Sequence, residues 1–354
     1  MLKDRIIHKA LSADPPIETD TSRCVRMRFN KNTCSACSSI CKANAISLDG
    51  GVSLDAEKCS LCMLCVSECP SGCFEIKGHD FFSLFPRLRG NENQYPVLGC
   101  NKAGEAHERT FCLGFLSEEH LISSAGFLET PLYLNLTACP QCENSFVVEK
   151  LKERIEKARA KASLDVLAKI VLVEKKGDLV FEDISYDRRR FFQALKTMTS
   201  AQVAAFLDEN TAQTNTPYSA KKLPLKRELL NKLIKRMPSG NGVIGILENY
   251  AFTIKAGSSC TNCFACVGMC PTGALKIKKD TEGIGLLFNS SLCTGCALCR
   301  DFCRMEAVTV AKGFRGTDYF EYEICNPCSS QSHEQASRGA GAVIEEMVCR
   351  GRRE

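Results

Sequence analysis

No stretch of 18 apolar, uncharged residues occurs in the 354-residue chain, which excludes a membrane-spanning helix. The opening segment MLKDRIIHKALSADPPIETDT has no apolar core and no small-residue cleavage site, so it does not read as a secretory signal. There is no Walker A sequence to cradle phosphate, and no C-x3-C-x2-C run of the kind that radical enzymes use to cleave adenosylmethionine. Tryptophan is absent and there are only 5 histidines. Against these shortages stand 24 cysteines, far more than a chain long enough to bury a core needs for stapling. A cytoplasmic location keeps thiols reduced, and clustered cysteines there bind metal more often than they pair. The length predicts two to four structural units.

Two cysteine runs stand in the C-terminal half. Cys260-Thr-Asn-Cys263-Phe-Ala-Cys266-Val-Gly-Met-Cys270-Pro271 is a complete C-x2-C-x2-C-x3-C-P. Cys293-Thr-Gly-Cys296-Ala-Leu-Cys299-Arg-Asp-Phe-Cys303 repeats the spacing without the proline. A cuboidal cluster needs a soft thiolate on each of its irons; a tight loop supplies three and a distant cysteine the fourth. Zinc, which also uses C-x2-C pairs, is the alternative. The spacing resembles that of bacterial two-cluster ferredoxins, in which the fourth cysteine of each run ligates the other run's cluster. That resemblance implies one [4Fe-4S] site from Cys260, Cys263, Cys266 and Cys303, and another from Cys270, Cys293, Cys296 and Cys299.

The N-terminal half repeats the pattern with one departure. Cys59-Ser-Leu-Cys62-Met-Leu-Cys65-Val-Ser-Glu-Cys69-Pro70 is complete, but Cys34-Ser-Ala-Cys37-Ser-Ser-Ile-Cys41 has Lys31 where a first ligand belongs. The nearest substitute is Cys24, at the head of Cys-Val-Arg-Met-Arg-Phe, whose alternation predicts a strand. The resemblance then implies one site from Cys24, Cys34, Cys37 and Cys69, and one from Cys41, Cys59, Cys62 and Cys65. A three-thiolate or three-iron cluster is the alternative for the first. Turn signals at Asp49-Gly50-Gly51 and 280–283 place a hairpin between the paired runs. Cys73 stands where the other repeats have Ala45, Ala274 and Ala307, and reads as a packing residue.

Residues 86–175 follow a different pattern. Short apolar strands near 95–100, 132–136 and 169–173 alternate with a helix capped by Ser117 and a charged helix over 143–162, which predicts a small parallel α/β unit. Cys100, Cys112, Cys139 and Cys142 follow the strand ends, the edge where such sheets place ligands. The segment also resembles, in part, the delta-subunit domain of methyl-viologen-reducing hydrogenases, through Cys100, the Cys112-Leu-Gly turn and the Cys139/Cys142 pair. That resemblance implies a [2Fe-2S] cluster; zinc and unligated thiols are the alternatives.

Residues 176–240 contain no cysteine and read as helical connector, with a loop at 210–217. Arg188-Arg-Arg190 lacks the apolar run of an export signal. The segment 221–236 predicts a basic amphipathic helix, for a membrane surface, an acidic partner or its own protein. Gly240-Asn-Gly242-Val-Ile-Gly245 fits G-x-G-x-x-G without a strand before it and reads as a joining loop. Cys325, Cys328, His333 and Cys349 form either a further metal site or a polar, disordered tail with free thiols.

The expected fold is α+β: two ferredoxin-like 2[4Fe-4S] domains (21–85 and 246–320) flank a small parallel α/β domain (86–175) and a helical connector (176–245). An arm (1–20) and a tail (321–354) complete the chain. The formal net charge of +5 becomes about −3 once 16 thiolates hold four cores of about +2 each, so nucleic-acid binding loses its support. No residue reads as a catalytic acid, base or nucleophile. The expected function is electron relay within a multisubunit oxidoreductase, cytoplasmic or attached to a membrane-bound complex, with hydrogenase, formate dehydrogenase or heterodisulfide-reductase-like partner subunits. The alternatives are substrate reduction at an open cluster, at Cys24 or the 100/112/139/142 set, and a redox sensor or assembly scaffold using Cys325 and Cys328.

Overall fold

A computed structural model describes residues 16–77, 84, 88, 95–162, 165–181, 221–238, 240–280 and 283–326. The strand Ile17–Thr19 pairs antiparallel with Phe74–Ile76, bracketing the first two cysteine runs. Between them Ile46–Ser47 pairs with Ser53–Leu54 across a turn in which Gly50 and Gly51 have φ of 68° and 138°. The C-terminal half repeats the plan. Phe252–Ala256 pairs antiparallel with Val308–Lys312, and Leu275–Asp280 with Gly283–Phe288.

A local device recurs in all four repeats. Three residues after each run's last cysteine the backbone turns left-handed: Asn44 (φ 49°), Gly72 (70°), Gly273 (78°) and Glu306 (48°). This reverses the chain into the following strand, and glycine does so without a Cβ penalty. The next residue is buried in every repeat, as Ala45, Cys73, Ala274 and Ala307.

The middle of the chain builds a four-stranded parallel sheet in the order Glu108–Thr110, Val97–Cys100, Leu132–Asn135, Ile170–Val173. Three of these strands match the apolar runs of the sequence. The fourth, Glu-Arg-Thr, sits at the sheet edge and carries no apolar pattern to reveal it. The helix Glu118–Phe127 starts at a capping box in which Ser117 and His120 each bond the other's backbone. The charged helix runs Val147–Ala162 and buries Val147, Leu151, Ile155, Ala158 and Ala162, a spacing of four, four, three and four. It begins later than 143 because residues 143–146 are spent in turns after Cys142.

Three expectations need correction. The segment after Cys24 is a helix, Val25–Arg28, not a strand: Val25 and Phe29, four apart, share one face and pack with Met269, Leu298 and Phe302. Residues 240–245 are no joining loop, because Gly240 caps the helix Asn241–Tyr250. Gly245 lies so close to the Val147–Ala162 helix that a Cβ would stand 2.9 Å from the Ala162 carbonyl oxygen. Cys325 belongs to an ordered strand, Glu323–Asn326, which pairs with Gly283–Phe288.

The helix Leu225–Arg236 turns Leu229, Leu230, Leu233 and Ile234 inward onto Glu118–Phe127, where Gly126 makes room for Leu233. The side that would enter a lipid surface is thus taken up by the protein itself. One continuous core runs from Ile17 through Met63, Leu98, Leu121 and Leu229 to Tyr319. A second, around Ile254, Leu286 and Phe288, belongs to the C-terminal half. Arg188–Arg190, the 210–217 loop, Cys328, His333 and Cys349 lie outside the described residues.

Candidate iron–sulfur sites

The complete runs wind by alternating left-handed residues. Leu61 and Met63, Asn262 and Phe264, and Gly295 and Ala297 all have positive φ, one before and one after the second cysteine of their run. This turns successive amides inward. The Leu61 and Leu64 amides donate to the Cys59 and Cys62 sulfurs, and those of Gly295 and Leu298 to Cys293 and Cys296. Such donors stabilise the anionic sulfur that an iron site requires. The run at Cys34 lacks left-handed residues and passes directly into the helix Ala36–Ile40, with the Ala36 amide on Cys34.

The thiols gather in the crossed sets. Burial raises Cys37 to about 11, and the charges of Cys69, Cys24 and Cys34 add to the effect. Cys65 is driven up by burial and then by Cys62, Cys59 and Cys41. Cys266 rises through burial and the charges of Cys263, Cys260, Cys325 and Cys303. Cys299 does so through burial, then Cys293, Cys296 and Cys270. Within each of four sets, I (24/34/37/69), II (41/59/62/65), III (260/263/266/303) and IV (270/293/296/299), the sulfurs thus lie within reach of one another's charge.

In the N-terminal half the fourth cysteines receive a bond from their own turn: Ala45 N–H donates to Cys41 Sγ (3.3 Å) and Cys73 N–H to Cys69 Sγ (3.2 Å). The Ser71 hydroxyl lies 3.7 Å from Cys69 Sγ, and Thr272 occupies the same place beside Cys270, at 3.6 Å.

At the edge of the parallel sheet, Cys112 is raised to about 12 by burial, with Cys100, Cys62 and Cys139 adding charge. Cys139 is raised to about 11 by burial and by Cys100 and Cys142. Cys142 Sγ accepts from Lys102 Nζ (3.4 Å) and from the Asn144 amide (3.5 Å). All four sequence candidates therefore meet here.

Among the described residues, no three His, Cys, Asp or Glu side chains converge on a point that one metal ion could occupy. A tetrahedral thiolate zinc site would bring its sulfurs to roughly 3.8 Å from one another. A cuboidal cluster carries its irons at separate corners and holds the thiolates wider apart. The donor chemistry of sites I, II and IV, four cysteine sulfurs with amide donors on some of them, fits such a cluster, and site III has the same four-sulfur set.

Two further cysteines lie beside these sets. Cys73 sits 1% exposed beside site I and donates its S–H to the Cys24 sulfur, which holds Cys24 below the ordinary thiol range and drives Cys73 above it. Cys325 packs against site III, raised to about 12 by burial and then by Cys260. The sequence marks Cys73 by its place in the repeat and Cys325 only as part of the 325/328/333/349 set; its approach to site III follows from a strand 22 residues beyond Cys303 that pairs with Gly283–Phe288.

No curated protein and no solved structure matches the chain. Family models do match within both halves: that of the 4Fe-4S dicluster domain over residues 259–307, and that of the 4Fe-4S binding domain over residues 52–75. The chain thus carries ferredoxin-type 4Fe-4S domains in each half and is similar to ferredoxin-like iron–sulfur proteins.

Proposed function

We propose that the chain is an electron-transfer subunit that relays electrons along a row of iron–sulfur sites between partner subunits of a larger oxidoreductase. The order of the sites carries this reading. Cys112 of the sheet-edge site feels the charge of Cys62 in site II, and Gly114 lies directly against the Cys62 carbonyl. Cys65 of site II feels Cys37 of site I. Cys34 of site I and Cys296 of site IV pack against the same small core, which joins the two halves of the chain. Cys299 of site IV feels Cys266 of site III. The row is sheet edge, II, I, IV, III.

Burial follows that order. All four cysteines of the sheet-edge site and of site III keep partial exposure, whereas three of four are buried in each of sites I and IV. Electrons enter and leave at exposed ends and pass through a shielded middle. Bound clusters supply one-electron chemistry; the chain supplies thiolates, amide donors and apolar walls. Four [4Fe-4S] clusters fill sites I to IV and a [2Fe-2S] cluster the sheet-edge site. The partners are protein subunits of a hydrogenase, formate dehydrogenase or heterodisulfide-reductase-like complex.

The test is iron, sulfide and electron spin resonance on anaerobically purified protein, with about 18 irons expected per chain. The double variant Cys139→Ser/Cys142→Ser should lose about two irons and narrow the spin-coupled signal of site II, leaving site III unchanged. Unchanged iron would remove the sheet-edge site from the row, and narrowing at site III would overturn the order.

A further inference from the structure

We propose that the strap 221–226 raises the potentials of the two shielded sites in the middle of the row, the Lys221 ammonium acting on site IV and the Lys226 ammonium on site I. The inference rests on the reading of those sites as [4Fe-4S] sites. Three observations carry it.

The first is where the basic charge of 221–236 goes. Its pattern suits a membrane surface or an acidic partner, yet its side chains find partners within the protein. Lys222 pairs with Glu75 (3.0 Å), Arg227 with Glu119 (2.9 Å) and Lys232 with Glu228 (3.8 Å). Lys235 and Arg236 lie over the rings of Phe320 and Phe127. Lys221 and Lys226 reach backbone carbonyls instead.

The second is the equivalence of those carbonyls. Lys226 Nζ donates to the Ser67 carbonyl (2.7 Å), and Lys221 Nζ to those of Val267, Gly268 and Cys270 (3.3, 2.8 and 2.5 Å). Ser67 and Gly268 hold the same place in the two complete runs, two residues before Cys69 of site I and Cys270 of site IV. The strap also crosses both turns that follow. A Cβ on Gly72 would stand 3.1 Å from Pro224 Cβ, and one on Gly273 3.3 Å from Lys221 Cβ. The Lys222 amide donates to the Pro271 carbonyl (3.2 Å). Arg23, 1% exposed, packs on Gly72 as well and donates to the Ser71 carbonyl (3.2 Å).

The third is charge. Three carbonyl acceptors match the three N–H bonds of an ammonium, one more than a neutral amine offers, so Lys221 is held as a cation. Arg28 approaches the same Gly268 carbonyl from the N-terminal half (3.4 Å). The carboxylates whose charge reaches Lys226, Glu119 and Glu68, are already matched by Arg227 (2.9 Å) and Arg154 (2.6 Å). Its ammonium therefore adds positive charge on the loop that carries Cys69. Sites I and IV each have three of four cysteines buried, and burial disfavours the added negative charge of a reduced site. A cation held on the ligand loop offsets that penalty, raises the potential and keeps the middle of the row reducible.

The experiment is a redox titration followed by electron spin resonance on the full chain, purified without oxygen. Wild type is compared with Lys221→Met, Lys221→Arg and Lys226→Met, and Cys293→Ser and Cys34→Ser identify the signals of sites IV and I by their loss. Lys221→Met should lower the midpoint potential of site IV, and Lys226→Met that of site I, each with full iron and with site III unmoved. Lys221→Arg keeps the charge and should hold site IV near its wild-type value. An unmoved site IV in Lys221→Met overturns the proposal for Lys221, and an unmoved site I in Lys226→Met overturns it for Lys226. A fall in Lys221→Arg equal to that in Lys221→Met also overturns it for Lys221, because charge would not be the cause. Where Lys221→Met does not fold, Lys221→Gln, which keeps a donor and removes the charge, decides by the same shift. Unchanged iron in Cys293→Ser or Cys34→Ser would instead refute that site as a cluster site, a separate failure.

Discussion

At the scale of single residues, cysteine positions matter less than what points at each sulfur. An amide donor two residues on, at Cys34, Cys59, Cys62, Cys112, Cys293 and Cys296, favours the anionic ligand in an interior that otherwise penalises charge. Lys102, whose ammonium reaches Cys142, adds a positive charge at the sheet-edge site. Lys102→Met should lower the potential of that site alone in a redox titration, by a small amount because the lysine is half-exposed and salt screens it. Gly114 and Arg154 hold the sheet-edge unit against site II. A Cβ on Gly114 would collide with the Cys62 carbonyl, so Gly114→Ala should weaken the spin coupling between the two sites while both keep their iron. Arg154 donates to the Gly114 and Leu116 carbonyls (3.0 and 2.9 Å), to Ser67 Oγ (2.8 Å) and to Glu68 (2.6 Å). Arg154→Met removes these bonds from the largely buried contact and should cost about 3 kcal/mol, read from the denaturant midpoint of unfolding.

At the scale of elements, the ferredoxin-type repeat was legible because its spacing is local. The C-x2-C-x2-C loop and the left-handed residue that follows each fourth cysteine lie within a few residues of one another. The segment after Cys24 was not, since Val25, Met27 and Phe29 suit both a strand's period and a helix's, and contacts with Met269 and Phe302 decided for the helix. The basic helix Leu225–Arg236 shows the same limit. Its amphipathic pattern specifies an apolar face and leaves open what covers it; the covering surface is the helix Glu118–Phe127, far away in sequence. Leu233, 2% exposed over Gly126, is the keystone of that contact. Leu233→Ala should cost about 2–5 kcal/mol in stability with no change in iron content of the folded fraction.

At the scale of the whole molecule, buried thiols set a pH dependence that the clusters reverse. In cluster-free protein, burial lifts Cys37 and Cys139 to about 11 and Cys112, Cys293 and Cys296 to about 12. A raised folded-state value contributes stability that is present below the unfolded thiol value, about 8.5, and is lost as pH climbs through the folded values. The unfolding midpoint of cluster-free protein should therefore fall as pH rises from about 8.5 to 11. Cluster formation needs thiolates and releases protons, so reconstitution with equal ferrous and ferric iron and sulfide should go further at pH about 8.5 than at about 6.5.

The sequence by itself determined the ligand chemistry, because a C-x2-C-x2-C loop sets its own backbone path and sulfur is the soft donor that iron clusters require. It also implied the crossed pairing of sites I to IV and the parallel strands that bring Cys100, Cys112, Cys139 and Cys142 to one edge. Only the tertiary structure decided which cysteines of separate segments stand close together. Cys62 against Cys112, Cys34 near Cys296, and Cys73 on Cys24 depend on how separately folded segments dock. Docking is set by the shape of buried surfaces such as Gly114, Val25 and Arg23, to which no spacing along the chain gives access.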